Sequence, residues 1–381
     1  MQERQNTMNF QKLYNYIDEI TAWRIPGADC AVYINNKPVA RYSAGYSDIK
    51  NSIPVNRTEL YHIYSSTKLS TCIAGLKLFE QGKFKMSDPL YEYIPEYREM
   101  YLKDGTRAKN PITIKDLFTM TSGITHEIHC SSIMAARRAE GKSITTLSAV
   151  RALAKEPLFF EPGTYWHYGL SHDVLGAVIE IVSGKRFSDY AKDNIFAPLG
   201  MCDTSFHLTD ENRSKMCPRY YYDEQANTYT PVSLTNNFEL GPMYDSGGAG
   251  IISSVDDYIK LASALANGGL APNGEQLLRP QTIDMMRTNQ LDSNVIKGFI
   301  WPHMTEYGYG YGVRTMLTPA FTGAKSPVGE FGWGGAAGTF LLADPENKLA
   351  VYYSQHMMPD FEEVVHPRIR DIVYECLKAT Y

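Results

Sequence analysis

Residues 61–70, YHIYSSTKLS, place a serine three positions ahead of a lysine at the start of a helical pattern. Apolar residues recur every three or four positions through 69–79, which predicts a helix with one buried face. Side chains at i and i+3 share a helix face, so the Lys68 amine can reach the Ser65 hydroxyl. Either this pair is a nucleophile with its activating base, placed where the helix dipole favours an oxyanion, or Ser65 or Ser66 is an ordinary N-cap.

The Ser-x-x-Lys spacing carries little information by itself, because a chain of this composition contains about one by chance. A second copy, SDIK at 47–50, lies in a polar turn beyond a strand-like run, with no helix to hold it. Only the copy at Ser65 therefore has a local geometry suited to proton transfer.

The composition is that of a globular protein, with 381 residues of which 44% are hydrophobic and 21% charged. The net charge is −5 and the basic residues are scattered, which argues against nucleic acid or an anionic membrane surface as a partner. No segment has the apolar length of a membrane span, and the first residues lack a signal-peptide pattern. We therefore predict a chain without a membrane span, located in the cytoplasm.

Strand-like runs lie near both ends of the chain. A hairpin is predicted at Asn35-Asn36, and two further strands are predicted at 337–343 and 348–355. Helical stripes at 9–22 and 361–378 flank these runs. The simplest assembly is one antiparallel sheet built from both chain ends and covered by the terminal helices.

The middle of the chain has mostly helical signals, so the predicted fold is α/β (α+β) with an inserted all-helical domain. We place the α/β domain at residues 1–85 and 240–381 and the helical insertion at 86–239. The glycine-rich run YGYGYGVR at 307–314 is predicted as a further twisted strand. A cleft between the two parts is the expected ligand site.

Further stretches resemble those of one known family. Together with the serine segment they follow the order of the serine β-lactamase and penicillin-binding-protein superfamily, above all its class C-like esterase branch. The likeness runs from about residue 25 to residue 360. The segments that carry it are YHIYSSTKLSTCIAGLKLFEQGKFKMSDPLYEYIPEY (61–97), ITIKDLFTMTSGI (112–124), FFEPGTYWHYGLSHDVLGAVIEIVSG (159–184) and GEFGWGGAAGTFLLADPE (329–346).

The resemblance implies a catalytic group of three side chains. Ser65 would be the nucleophile and Lys68 its partner, and Tyr168 falls where the family has the tyrosine of its Tyr-x-Asn motif. Ser171 is a good N-cap for an apolar helix at 172–183, which would place Tyr168 in the loop just ahead of a rigid element.

Two departures from the lactamase pattern bear on the substrate. The asparagine of the second motif is Leu170 here, and the family's Lys-Thr-Gly is Trp333-Gly334-Gly335. Loss of that lysine removes the cation that would hold a substrate carboxylate, which favours a neutral, apolar or aromatic substrate. These variants resemble the family VIII carboxylesterases and related acyltransferases.

By the same resemblance the backbone N–H groups of Ser65 and Ala336 would form the oxyanion hole. The glycines Gly334 and Gly335 would let the strand approach the acyl group closely. Trp333 is either a pocket wall or a packed aromatic.

The resemblance implies a serine hydrolase that cleaves a small-molecule carboxylic ester through an acyl-enzyme on Ser65. The alternatives are a β-lactamase or D-Ala peptidase, an acyltransferase using the same acyl-enzyme, and a catalytically silent binding protein. HEIHC at 126–130 lacks the i, i+4 histidine spacing of a helical zinc site, and no phosphate-binding loop is present. We therefore predict no metal and no cofactor.

Overall fold

The computed structural model of the protein describes residues 8–378. The strands in this range are β1 (Gly27–Ile34), β2 (Lys37–Asp48), β3 (Ile53–Pro54), β4 (Tyr61–His62), β5 (Arg219–Asp223), β6 (Thr228–Val232), β7 (Ile252–Ser253), β8 (Tyr307–Tyr309), β9 (Arg314–Met316), β10 (Phe331–Gly335), β11 (Thr339–Asp344), β12 (Leu349–Gln355) and β13 (Met357–Met358). Eight of them form the main sheet, in the antiparallel order β3-β2-β1-β12-β11-β10-β9-β8.

No helix in residues 8–378 is long and apolar enough to cross a membrane. The α-helices in this range are α1 (Gln11–Trp23), α2 (Thr67–Glu80), α3 (Ile114–Thr119), α4 (Ser131–Glu140), α5 (Thr146–Leu153), α6 (Ser171–Ser183), α7 (Phe187–Ala191), α8 (Asp210–Arg213), α9 (Val255–Ala266), α10 (Pro280–Arg287) and α11 (Glu362–Lys378).

The hairpin predicted at Asn35-Asn36 is confirmed. Both asparagines have a positive φ, 51° and 62°, as a two-residue turn between right-twisted strands requires. On its other side β1 pairs with β12, with Val32 opposite Val351. The sheet is therefore built from both chain ends, as the sequence predicts.

Helices cover both faces of this sheet. Because side chains alternate along a strand, Val32 and Val351 belong to the core beneath α1 and α11. Their neighbours Ala31 and Tyr352 point the other way, into the larger core that includes α9. The main sheet is thus the middle layer of a helix–sheet–helix arrangement.

The sequence does not predict the hairpin formed by β5 and β6, which lies inside the segment expected to be all-helical. Both strands are short, and β6 contains Pro231, a residue that weakens any strand prediction. β5 also pairs in parallel with β13, a contact between chain segments far apart in sequence. The middle segment therefore holds helices and this hairpin, and the boundaries at 85/86 and 239/240 remain a prediction.

Two strand predictions are wrong in detail. Residues 307–314 form β8 and β9 around a tight turn in which the Gly310 N–H donates to the Val313 carbonyl at 2.8 Å. The strand expected at 337–343 begins later, at Thr339, because Ala337 and Gly338 form a turn with φ of 65° and 92°. Glycine adopts such angles without strain, so the glycines of both segments allow turns as readily as strands.

Candidate active site

Ser65 lies in a single 3₁₀ turn, Tyr64–Ser66, directly before α2. Its neighbours fix this turn, because the Ser66 hydroxyl bonds to Thr339 Oγ1 at 2.8 Å and the Tyr258 hydroxyl donates to the Ser66 carbonyl at 2.6 Å. Tyr64 has φ of 44°, a strained angle for a bulky residue. Strain held by buried contacts beside a serine is typical of a functional turn.

Lys68 is buried, with 3% of its surface exposed, one helical turn after Ser65. Its amine donates to Ser65 Oγ at 3.2 Å and to the Gly248 carbonyl at 2.7 Å. A Cβ added at Gly248 would lie 2.6 Å from Asp173 Oδ2 and 3.4 Å from the amine, so glycine at this position chiefly makes room for the Asp173 carboxyl. The i, i+3 contact expected from the sequence is present.

Tyr168 lies in the loop before α6, and its ring centroid is 4.5 Å from the Lys68 amine. The Trp333 indole N–H donates to the Tyr168 hydroxyl at 3.3 Å, and the two rings stack at 5.9 Å. The structure therefore brings Ser65, Lys68 and Tyr168 together. The Ser65 hydroxyl and the Lys68 amine are within hydrogen-bond reach, as proton transfer requires, and the same amine contacts the ring of Tyr168.

The expected cap of α6 is wrong. Leu170 is the N-cap residue and Ser171 is the first residue of the helix. The Ser171 hydroxyl bonds instead to Ser122 Oγ at 2.8 Å, joining the helix to the TSG segment at 121–123. The loop that carries Tyr168 is held on both sides by backbone bonds, in which the His167 N–H donates to the Met120 carbonyl at 3.0 Å and the Leu170 N–H to the Thr125 carbonyl at 2.9 Å.

Strand β10 ends against the serine turn. A Cβ added at Gly335 would collide with the Ile63 carbonyl oxygen and lie 3.0 Å from the Ser65 nitrogen. Only glycine permits this approach. Ser65 and Ala336, the two residues expected to supply oxyanion donors, line one cavity.

This cavity has a volume of about 180 Å³. Trp333 borders it but is only 2% exposed, so its ring packs mainly behind Tyr168 and Trp301. Trp333 is therefore a packed aromatic at the border of the cavity, and its role as a pocket wall stays a prediction. The lining residues are Ser65, Tyr168, Trp301, Met304, Trp333, Gly334, Gly335, Ala336, Asp360 and Glu362.

Sequence reasoning missed four of these residues, namely Trp301, Met304, Asp360 and Glu362. They come from an irregular segment and from the start of α11, outside the stretches that resemble family motifs. The one available sequence signal was the acidic pair Asp360 and Glu362. It was overlooked because both residues stand at the start of a predicted helix, where carboxylates usually interact with the helix dipole. Burial, followed by repulsion from Asp360 and Glu363, raises the pKa of Glu362 to about 7.

His126, from the HEIHC stretch, packs against Tyr168 with ring centroids 5.4 Å apart. Burial, helped by the positive charge of Lys68, lowers its pKa, so the ring is neutral at pH 7. Among residues 8–378 no three His, Cys, Asp or Glu side chains are grouped to hold a metal ion. His126 thus supplies a neutral wall to the side of Tyr168.

The chain is similar to several known proteins over most of its length. Esterase EstB of Burkholderia gladioli is 28% identical over 356 residues, which cover 86% of this chain and 85% of that protein. Protein Rv1367c of Mycobacterium tuberculosis (strain ATCC 25618 / H37Rv) is 28% identical over 352 residues, covering 88% and 87%. The structure of EstCE1, described as a hydrolase with promiscuous acyltransferase activity, has a TM-score of 0.79 at 24% identity and covers 97% of this chain and 98% of its own.

The family model described as Beta-lactamase matches residues 14–374. This match spans nearly the whole chain, and it confirms the resemblance drawn from the motifs. The protein belongs to the Beta-lactamase family.

Proposed function

We propose that the protein is a serine carboxylesterase that works through an acyl-enzyme on Ser65. The observation that carries the proposal is the buried Lys68 amine at 3.2 Å from the Ser65 hydroxyl, with the Tyr168 ring against the same amine. A serine beside a buried amine and a phenol has both a proton acceptor and a proton donor for acyl transfer. The similarity to EstB, an esterase by name, supports the same reaction class.

In the first half-reaction Ser65 Oγ forms a bond to the ester carbonyl carbon, and its proton passes to the Lys68–Tyr168 pair. The tetrahedral oxyanion lies toward the N–H groups of Ser65 and Ala336. The carbon–oxygen bond to the alcohol then breaks, and the pair returns the proton to the leaving alkoxide. Water attacks the acyl-enzyme in the second half-reaction, releasing the acid and restoring Ser65.

An acyltransferase is the second candidate, because EstCE1 is described as a hydrolase with promiscuous acyltransferase activity. An alcohol that enters in place of water would take the acyl group from Ser65 without any change in the residues. A β-lactam substrate is less well supported, since Trp333 stands where a lysine would bind its carboxylate. A cytoplasmic location remains part of the proposal, to be checked by cell fractionation.

The test compares wild type and Ser65→Ala on short p-nitrophenyl esters and a chromogenic cephalosporin. We expect ester turnover in wild type, its loss in the variant, and weak cephalosporin turnover. Ser66→Ala is the matched control for removing a hydroxyl from this turn, although it also removes the bond to Thr339. If wild type hydrolyses no ester and intact-protein mass shows no acyl adduct, the proposal is wrong.

A further inference from the structure

The cavity at Ser65 has an unusual charge. Its only ionisable side chains besides Tyr168 are the carboxyl groups of Asp360 and Glu362, and within residues 8–378 no lysine or arginine lines it. Two carboxyl groups beside a nucleophile repel anionic substrates. This charge is the opposite of the one expected in a site that receives a substrate carboxylate.

The helix dipole explains only part of this arrangement. Asp360 Oδ1 accepts the Glu362 backbone N–H at 3.2 Å, as an acidic residue at the start of a helix commonly does. Glu363, the next acidic residue, is exposed and does not line the cavity. The helix start could thus be served by carboxylates that face solvent, yet Asp360 and Glu362 face the nucleophile.

The basic side chains near Glu362 do not offset the charge of its carboxyl group. His303 is the nearest basic side chain to the Glu362 carboxyl, with its Nε2 atom 3.7 Å from Glu362 Oε1. Burial lowers the pKa of this histidine. Arg314, the first residue of β9, donates to the Glu330 carboxylate at 2.9 Å. The basic neighbours of the Glu362 carboxyl are therefore a histidine of lowered pKa and a paired arginine, while the Lys68 amine beside the nucleophile is bonded to the Ser65 hydroxyl and the Gly248 carbonyl.

Aromatic rings form the opposite side of the cavity. Tyr168 and Trp301 meet edge to face at 5.3 Å, and Trp301 lies 5.6 Å from Trp333. One of these rings already contacts a cation, because the Lys68 amine lies 4.5 Å from the centre of Tyr168. Ring faces together with carboxylates are the groups that bind organic ammonium ions in proteins.

Resting on the proposed esterase function, we propose that the preferred substrates carry a positively charged ammonium group, which lies between Asp360, Glu362 and the ring of Trp301. The carboxylates supply the charge and the tryptophan supplies a face that needs no hydrogen bond. The small cavity, about 180 Å³, suits a compact group such as a trimethylammonium. Asp360 and Glu362 are then specificity-determining residues of the Ser65 site.

The test uses pairs of esters that differ in charge and not in shape. Short-chain esters of choline are compared with those of 3,3-dimethylbutanol, its neutral isostere, and a second pair carries the same two groups on the acyl side. The readout is the ratio of kcat/KM for the charged ester to that for the neutral ester. A general loss of activity in a variant cancels in this ratio.

We expect a ratio of about ten or more in wild type for at least one pair. The ratio should fall toward one in the double variant Asp360→Asn/Glu362→Gln. Each single variant should show a smaller decrease of the same ratio. Glu363→Gln, on the same helix turn but outside the cavity, should not lower the ratio, because removing its repulsion of Glu362 favours the charged form of that carboxyl. Raising the salt concentration should lower the wild-type ratio, a measurement that needs no variant.

The two proposals fail in different ways. A neutral ester hydrolysed through Ser65 with a ratio near one in both pairs would overturn the ammonium inference and leave the esterase proposal standing. A ratio unchanged in the double variant would also overturn it. If neither member of any pair is hydrolysed while p-nitrophenyl esters are turned over through Ser65, the ammonium inference alone is overturned; if p-nitrophenyl esters are not hydrolysed either, the esterase proposal itself fails.

Discussion

Gly335→Ala tests whether the close approach of β10 to the serine turn is part of the chemistry. The new Cβ would collide with the Ile63 carbonyl and would lie 2.6 Å from Thr339 Oγ1 and 3.0 Å from the Ser65 nitrogen. A methyl group needs about 3.5 Å from such atoms, so relieving the collision with Ile63 requires the strand and the turn to separate by more than about 1 Å. The Ala336 N–H would move away from the Ser65 N–H by a similar distance.

The expected loss follows from this displacement. A misplacement of about 1 Å costs about 10²-fold in rate, and loss of one oxyanion donor costs about 10²- to 10³-fold. We therefore expect kcat for a short p-nitrophenyl ester to fall about 10²-fold, while thermal unfolding monitored by circular dichroism shows a folded protein.

Gly334→Ala is the matched control for this variant. Its added Cβ would lie 3.0 Å from the Thr339 carbonyl and 3.6 Å from His366, contacts that a small shift relieves. We expect it to keep kcat within about threefold of wild type, since a shift of a few tenths of an ångström leaves the donors in place. If Gly335→Ala also stayed within that range, the close approach would have no part in catalysis.

Three more predictions follow from single contacts. Trp333→Phe keeps an aromatic ring but removes the N–H that donates to Tyr168 at 3.3 Å, so kcat should fall about tenfold with little change in KM, measured by steady-state kinetics; a rise in KM alone would instead indicate a pocket wall. Because burial, Asp360 and Glu363 raise the pKa of Glu362 to about 7, against the opposing effect of Arg314, this carboxyl gains its charge as pH rises through 7. The charged-to-neutral ester ratio should therefore increase between pH 6 and pH 8, beside a His303 whose pKa burial lowers, and a flat profile would exclude Glu362. Arg314→Met leaves Glu330 buried without its ion-pair partner, the two side chains being 3% and 0% exposed, so urea unfolding should show a loss of about 3–5 kcal/mol.

The parts of the site that the sequence predicts are those fixed by local spacing. Ser65 and Lys68 are one helical turn apart, so their contact needs only the helix itself. The hairpin at Asn35-Asn36 likewise follows from two residues that tolerate positive φ. Tyr168 was found only through the family resemblance, because no local rule links it to Ser65.

The parts that the sequence does not predict depend on contacts between distant segments. The hairpin of β5 and β6 gains a third strand from β13, more than a hundred residues later. Ser171 bonds to Ser122 instead of capping its own helix, a choice made by the packing of two segments. Asp360 and Glu362 line the same cavity as Ser65 because the chain entering α11 returns to the end of β10, which a pattern of helical positions does not show.

Two separate parts of the sequence make the cavity less favourable for an anion. Trp333 takes the place of the family's lysine, which removes a positive charge. Asp360 and Glu362, from the start of α11, add carboxyl groups to the same cavity. Each change alone weakens the binding of a substrate carboxylate, but only the second creates attraction for a cation. A Trp333→Lys variant separates the two effects, because its amine would neutralise the carboxyl groups. The preference for a charged ester should then disappear, even though Asp360 and Glu362 remain in place.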